Sequence, residues 1–73
     1  MTKRSLTIAG HRTSISLEEP FWQALGEIAK ARRISLPLLV AGIDRTRSDA
    51  TNLSAALRLY VLDWFRSRAA TTA

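Results

Sequence analysis

The stretch from His11 to Ala29, "HRTSISLEEPFWQALGEIA", changes its spacing of polar and apolar residues at Glu18. Before that point two sets alternate, one polar and one mostly apolar: Arg12, Ser14 and Ser16 against Thr13, Ile15 and Leu17. A period of two predicts a half-buried β-strand, whereas the helical spacing after Glu18 predicts an α-helix. Nothing later in the chain resembles a second strand. The sequence therefore predicts one strand followed by helices.

A lone strand leaves backbone amide and carbonyl groups without partners, so this strand needs another one beside it. The same strand of a second copy, antiparallel about a two-fold axis, would supply that partner. We therefore predict a homodimer whose core contains apolar residues of the strand and the first two helices: Ile15, Leu17, Phe21, Leu39 and Ile43. The functional hypothesis below depends on this two-chain ribbon.

Three helices are predicted after the strand, which makes the fold mainly α. The first covers about 18–33 and opens with Glu18 and Glu19, which favour the positive end of the helix dipole. The second follows Ser35, a good N-cap, and ends near Arg47. The third starts near 52–53 and ends at about 68. Residues 11–68 thus form the predicted domain, with 69–73 as a disordered tail.

The first ten residues are basic and polar, and we predict that they form a flexible N-terminal arm. The alternative is a hairpin in which "AGH" turns residues 1–10 back onto the strand, although the usual two-residue turn signatures are absent. No internal repeat of note is predicted. Whether the segment is an arm or a strand stays open at this point.

The charge of the chain favours a polyanionic partner. Its 73 residues carry a formal net charge of +5, and residues 1–17 contain Lys3, Arg4 and Arg12 without any acid. Such a balance is typical of nucleic-acid binding, although basic residues also serve simply to keep a protein soluble. No apolar run is long enough to cross a membrane, and no secretory signal is present. We expect a cytoplasmic protein without membrane association.

Catalysis finds little support in the sequence. There is no cysteine, His11 is the single histidine, and six scattered acidic residues form no metal-ligand pattern. We expect neither an enzyme nor a bound metal or cofactor.

The polar side of the strand is the part of the sequence that indicates a function. A two-stranded ribbon fits the major groove of DNA, where arginine binds guanine bidentately and hydroxyl groups contact any base. We therefore predict that Arg12, Ser14 and Ser16 contact bases. Lys3 and Arg4 are predicted to contact phosphates.

The run "RTSISLEEPFWQALGEIAKARRISLPLLV" resembles the ribbon-helix-helix DNA-binding proteins, the Arc/MetJ/CopG-type repressors. The runs "GHRTSISLEEPFW" and "NLSAALRLYVLDWFR", with "ID" at 43–44, resemble a small bacterial family of that class. The resemblance covers about residues 3–66 and implies a homodimeric regulator of transcription that binds double-stranded DNA. It assigns base contacts to the three polar strand positions, and a phosphate contact to the backbone at Ser35 and Leu36. The third helix is an addition, and "ARRIS" replaces the family's usual turn glycine.

Two alternatives remain. The chain could be the antitoxin of a toxin–antitoxin pair, with its C-terminal segment wrapped on a toxin. It could also be a dimeric adaptor that binds a protein partner through the third helix and does not bind DNA.

Overall fold

The computed structural model describes residues 1–72, with the side chains of residues 1–69. Two strands precede three helices: β1 (Thr2–Ile8), β2 (His11–Leu17), α1 (Glu19–Arg32), α2 (Leu36–Thr46) and α3 (Leu53–Thr72). The predicted order of strand, helix, helix and helix is present, and the extra C-terminal helix is present as well. A second strand, β1, precedes that series. The helix predicted to end near 68 continues to Thr72, so the predicted tail begins as helix, and residue 73 lies outside the described residues.

The N-terminal segment is a strand and not an arm. β1 pairs with β2 in antiparallel register, with Thr2 opposite Leu17 and Ile8 opposite His11. The connection is the two-residue turn Ala9–Gly10, where φ is +51° and +83°. Two positive φ values in succession match the right-handed twist of a hairpin. Since alanine rarely adopts this conformation, the turn was only weakly indicated by the sequence.

The second strand removes the reason for invoking a second chain. The argument that β2 needs its own copy as a partner is wrong, because β2 already pairs with β1 in its own chain. Pairing of β2 with a second chain is not shown. Four of the five predicted dimer-core residues, all but Phe21, are buried within this single chain. Phe21 is partly buried and packs against the same core.

The core lies between the hairpin and the helices, and every element contributes to it. Its buried residues are Ile8, Ile15, Leu17, Trp22, Leu25, Ile28, Ala29, Leu39, Val40, Ile43, Leu57 and Val61. The last two belong to α3, so this helix is packed into the domain along part of its length. None of the helices in the described residues combines the length and hydropathy that a membrane span requires.

The helix ends follow the capping signals in the sequence. Arg33 ends α1 with φ of +59°, in the left-handed conformation that glycine most often takes at this position. At the start of α2 the Leu38 amide donates to the Ser35 hydroxyl oxygen (3.2 Å), and at the start of α3 the Ala55 amide donates to the Asn52 side-chain oxygen (2.8 Å). The structure thus begins α2 after the predicted Ser35 cap and begins α3 at the predicted position.

Candidate nucleic-acid interface

One face of the hairpin is polar along its whole length. Opposite residues of an antiparallel pair point to the same side of the sheet. The register places three such pairs on the side away from the helices, Lys3 with Ser16, Ser5 with Ser14, and Thr7 with Arg12. We call these six residues the outer face. Five of the six are exposed and Ser16 is half-buried.

The outer face carries positive charge that no acid of the chain neutralises. The three predicted base-contacting residues, Arg12, Ser14 and Ser16, lie on it together. Neither Lys3 nor Arg12 makes an ion pair with any acidic side chain in the described part of the chain. At the centre the hydroxyl oxygens of Ser5 and Ser14 are 3.3 Å apart. The face therefore offers two cations and four hydroxyl groups to whatever it contacts.

Arg4 has a different location from Lys3, although the two were predicted to act together. It lies opposite Ile15, on the side of the sheet that faces the helices. Its guanidinium is 3.4 Å from a Glu19 carboxylate oxygen and 5.2 Å from the centre of the Trp22 ring. A phosphate contact by Arg4 would have to compete with these two partners.

The first turn of α1 fixes the hairpin to the rest of the domain. The Trp22 indole N–H donates to the backbone carbonyl of Thr2 (2.8 Å), which ties the start of β1 to α1. Glu19 holds Arg4 from the same turn. Both contacts join residues far apart in sequence, so neither could be read from local spacing.

Glu18, at the start of α1, connects this helix to α3 through an arginine. Arg58 donates to both carboxylate oxygens of Glu18, at 3.0 and 3.3 Å, and its guanidinium lies 5.9 Å from the centre of the Phe21 ring. The hydrogen bond from Arg58 lowers the pKa of the Glu18 carboxyl below its ordinary value. The two acids predicted only as helix-start residues therefore also bind one arginine each.

The predicted phosphate contact at the start of α2 is left with the two backbone amides of Ser35 and Leu36. Leu38 donates to the Ser35 side chain and Leu39 donates to the Ser35 carbonyl, while Pro37 has no amide hydrogen. Leu36 keeps a first-turn N–H that makes no hydrogen bond within the described residues. Further along, Leu38 lines a surface cavity with Ile8, so α2 lies beside the turn of the hairpin.

The free edge of β2 faces a groove beside the first turn of α3. Thr13, Ser14, Ser16, Ser54 and Arg58 are among the residues that line it. The Ser54 hydroxyl donates to the backbone carbonyl of Ser16 (3.2 Å), which occupies one end of that edge. A second chain added to β2 would have to pair beside this contact.

The described residues contain no group of three or more histidine, cysteine or acidic side chains placed to hold a metal ion. His11 is exposed beside the turn.

A family model described as a ribbon-helix-helix domain matches residues 1–65. The matched range contains β1 and most of α3, so the whole hairpin belongs to the matched domain. No curated protein and no solved structure matches the chain.

Proposed function

The chain belongs to the ribbon-helix-helix domain family, and on that premise we propose that it binds double-stranded DNA sequence-specifically and regulates transcription. Proteins with this domain are generally DNA-binding regulators. The observation that carries the proposal for this chain is the outer face, which is polar throughout, contains two cations and has no acid. A two-stranded ribbon of this kind fits the major groove.

Each outer-face residue predicted to contact bases has a defined role in this proposal. Arg12 donates two hydrogen bonds to one guanine, because its planar guanidinium matches the two acceptors on the guanine edge. Ser14 and Ser16 donate to or accept from neighbouring base edges. Ser35 and Leu36 lie at the α2 N-terminus, where the free Leu36 amide and the helix dipole favour a phosphate.

The proposed assembly is a homodimer in which each chain brings its own hairpin to the DNA. Its support is the apolar surface that one chain leaves uncovered: Leu38, Leu59, Leu62 and Phe65 are 55%, 60%, 52% and 44% exposed. Sedimentation velocity across the concentration range of DNA binding measures this directly. If DNA saturated with protein carries the mass of only one chain per site, the homodimer is excluded. The ribbon within one chain would be unaffected by that result.

The DNA-binding proposal is tested with Arg12→Ala and a charge-matched control, Arg66→Ala. Arg66 is exposed on α3 and has no acidic partner within the described residues. After selection of a preferred site from random duplexes, fluorescence anisotropy gives affinities for that site and for scrambled DNA. Arg12→Ala should weaken specific binding by about 1–3 kcal/mol and relax one base position. Equal losses for both variants on both sequences would contradict the assignment.

A second candidate function, binding of a protein partner through α3, is supported by one observation. Leu59, Leu62 and Phe65 lie exposed along this helix. Leu59 and Leu62 are on the side away from Leu57 and Val61, which are buried in the core, and Phe65 follows Val61 by one turn. Both the antitoxin and the adaptor hypotheses use this surface. If the chain fails to bind mixed duplex DNA even at low salt, where non-specific binding is strongest, the adaptor hypothesis replaces the proposal.

A further inference from the structure

The two strands of the hairpin repeat one chemical pattern nine positions apart. Residues 3–8 are "KRSLTI" and residues 12–17 are "RTSISL". In both, a cation comes first, serine is third, a hydroxyl residue is fifth, and branched aliphatic residues are fourth and sixth. The sequence was expected to contain no internal repeat. The repeat becomes visible once the register shows which residues share a face.

The register makes this repeat a local two-fold symmetry. In an antiparallel pair, a two-fold axis through two opposite residues exchanges the strands. Here the axis passes between Ser5 and Ser14, which are opposite each other. It brings Lys3 onto Arg12, because each lies two residues before the central serine of its strand. Alternation of polar and apolar residues explains the aliphatic positions, but it does not explain cations at both equivalent ends.

The outer face is therefore quasi-symmetric in its chemistry. Hydroxyl groups meet at its centre, where the Ser5 and Ser14 oxygens are 3.3 Å apart. Thr7 and Ser16 are the second equivalent pair, and both carry hydroxyls. The inner face departs from the symmetry at Arg4, whose equivalent is Thr13. Arg4 contacts Glu19 and Trp22 of α1, and the other strand has no equivalent of these contacts.

We infer that one chain is a complete reading unit for a quasi-palindromic DNA segment, with Lys3 and Arg12 contacting base edges at symmetry-related positions. This inference rests on the proposed function and extends it to β1. It changes the role of Lys3 from a phosphate contact to a base contact, and it adds Ser5 and Thr7 to the reading surface. The hairpin supplies within one chain what two identical strands would otherwise supply.

The strand geometry gives the size of the segment. Four residues separate the Lys3 row from the Arg12 row, which corresponds to about 14 Å at about 3.4 Å per residue. Base pairs are spaced about 3.4 Å apart along the helix axis, and a ribbon in the major groove is inclined to that axis, so the two cations span at most about four base-pair steps. Arginine binds guanine bidentately, whereas lysine presents a compact charge. The base read by Arg12 should therefore be specified more strictly than the one read by Lys3.

The test is selection from random duplexes by the full chain and by four variants: Lys3→Ala, Lys3→Arg, Arg12→Ala and Arg66→Ala. The site of the unmodified chain should be quasi-palindromic. Arg12→Ala should reduce discrimination at one position by about 5- to 150-fold. Lys3→Ala should relax the position related to it by the two-fold axis, and Lys3→Arg should sharpen that position. Arg66→Ala, the charge-matched control on α3, should leave every position unchanged.

The outcomes separate this inference from the proposed function. If Lys3→Ala weakens all sequences alike and lowers the salt slope by about one unit, Lys3 contacts a phosphate and the inference fails while DNA binding stands. An Arg66→Ala chain that alters base preference as Lys3→Ala does also overturns the assignment to the outer face. If the unmodified chain binds no duplex at low salt, the proposed function itself is wrong. Circular dichroism of each variant verifies that the fold is kept.

Discussion

The turn of the hairpin provides a direct test of the register on which the outer face depends. Ala9 adopts φ of +51° and Gly10 adopts φ of +83°. For a residue with a side chain, the left-handed conformation costs about 1–2 kcal/mol. Asparagine tolerates it better, and Asn-Gly is the preferred sequence for a two-residue hairpin turn of this kind. Ala9→Asn should therefore stabilise the domain.

The expected size follows from the backbone alone. Ala9→Asn recovers part of the left-handed cost, which we put at about 0.5–1 kcal/mol. Ala9→Gly removes the whole cost of about 1–2 kcal/mol but adds backbone entropy to the unfolded chain, about 0.5–1 kcal/mol, so its net gain is about 0.5–1 kcal/mol, similar to that of Ala9→Asn. Gly10→Ala should destabilise by about 1–2 kcal/mol. A methyl group at Gly10 meets no atom within 4 Å, so this loss comes from backbone conformation and not from a clash.

Thermal unfolding followed by circular dichroism measures these differences. For a domain of this size a change of 1 kcal/mol moves Tm by about 4–8 °C, so Ala9→Asn should raise Tm by about 2–8 °C. The stabilities should rank Ala9→Asn and Ala9→Gly together above the unmodified chain, and Gly10→Ala below it. If Gly10→Ala unfolds like the unmodified chain and Ala9→Asn gains nothing, the turn is not left-handed. The register, and with it the composition of the outer face, would then be wrong.

Three further predictions concern how the helices hold together. Because the pKa of Glu18 is lowered in the folded chain, its ion pair stabilises the fold at pH values above the ordinary carboxyl pKa. That stabilisation is lost as the pH falls through the lowered pKa. Arg58→Met should therefore reduce the dependence of the urea midpoint on pH in the acid range. Trp22→Phe should lower the free energy of unfolding by about 1–3 kcal/mol, because a buried indole hydrogen bond is lost, and urea titration checks this. By the same titration Leu57→Ala should cost about 2–5 kcal/mol, whereas Arg66→Ala, exposed on the same helix, should stay within about 0.5 kcal/mol.

The parts of the fold that the sequence predicts well are those encoded by neighbouring residues. β2 is visible from its alternation, and the starts of α2 and α3 are visible from Ser35 and Asn52, which cap them. The grouping of Arg12, Ser14 and Ser16 on one face follows from the same alternation and is present in the structure. In each case the signal lies within a few residues of the feature that it predicts.

β1 was predicted only as an alternative because its signals are non-local. One of its inward positions holds Arg4, which breaks the apolar alternation, and the structure accommodates it with Glu19 and Trp22 of α1. The turn that starts its pairing uses Ala9 where asparagine would have been a clear signal. The strand is therefore stabilised by contacts that a single-sequence pattern does not contain.

Missing β1 also led to the wrong explanation of the ribbon. With one strand, the physical need for backbone partners required a second copy, and the apolar residues became a dimer core. With two strands that need is met within the chain, and residues such as Leu17 and Leu39 are buried without a partner. The polar face is still present, because it depends on alternation in β2 and not on which strand pairs with it. The functional hypothesis, which depended on a two-chain ribbon, therefore rests instead on the hairpin within one chain.

The distribution of ion pairs explains why a polyanion suits the outer face. The two acids nearest the hairpin in sequence, Glu18 and Glu19, are each bound to an arginine, Arg58 and Arg4. Those pairs connect α1 to α3 and to β1, so they fix the hairpin on the domain. They also neutralise the charges of Glu18 and Glu19. Lys3 and Arg12 are left without acidic partners in the described part of the chain. DNA phosphates surround any ribbon that enters the major groove. They would supply Lys3 and Arg12 with the negative charge that Glu18 and Glu19 provide to Arg58 and Arg4 instead.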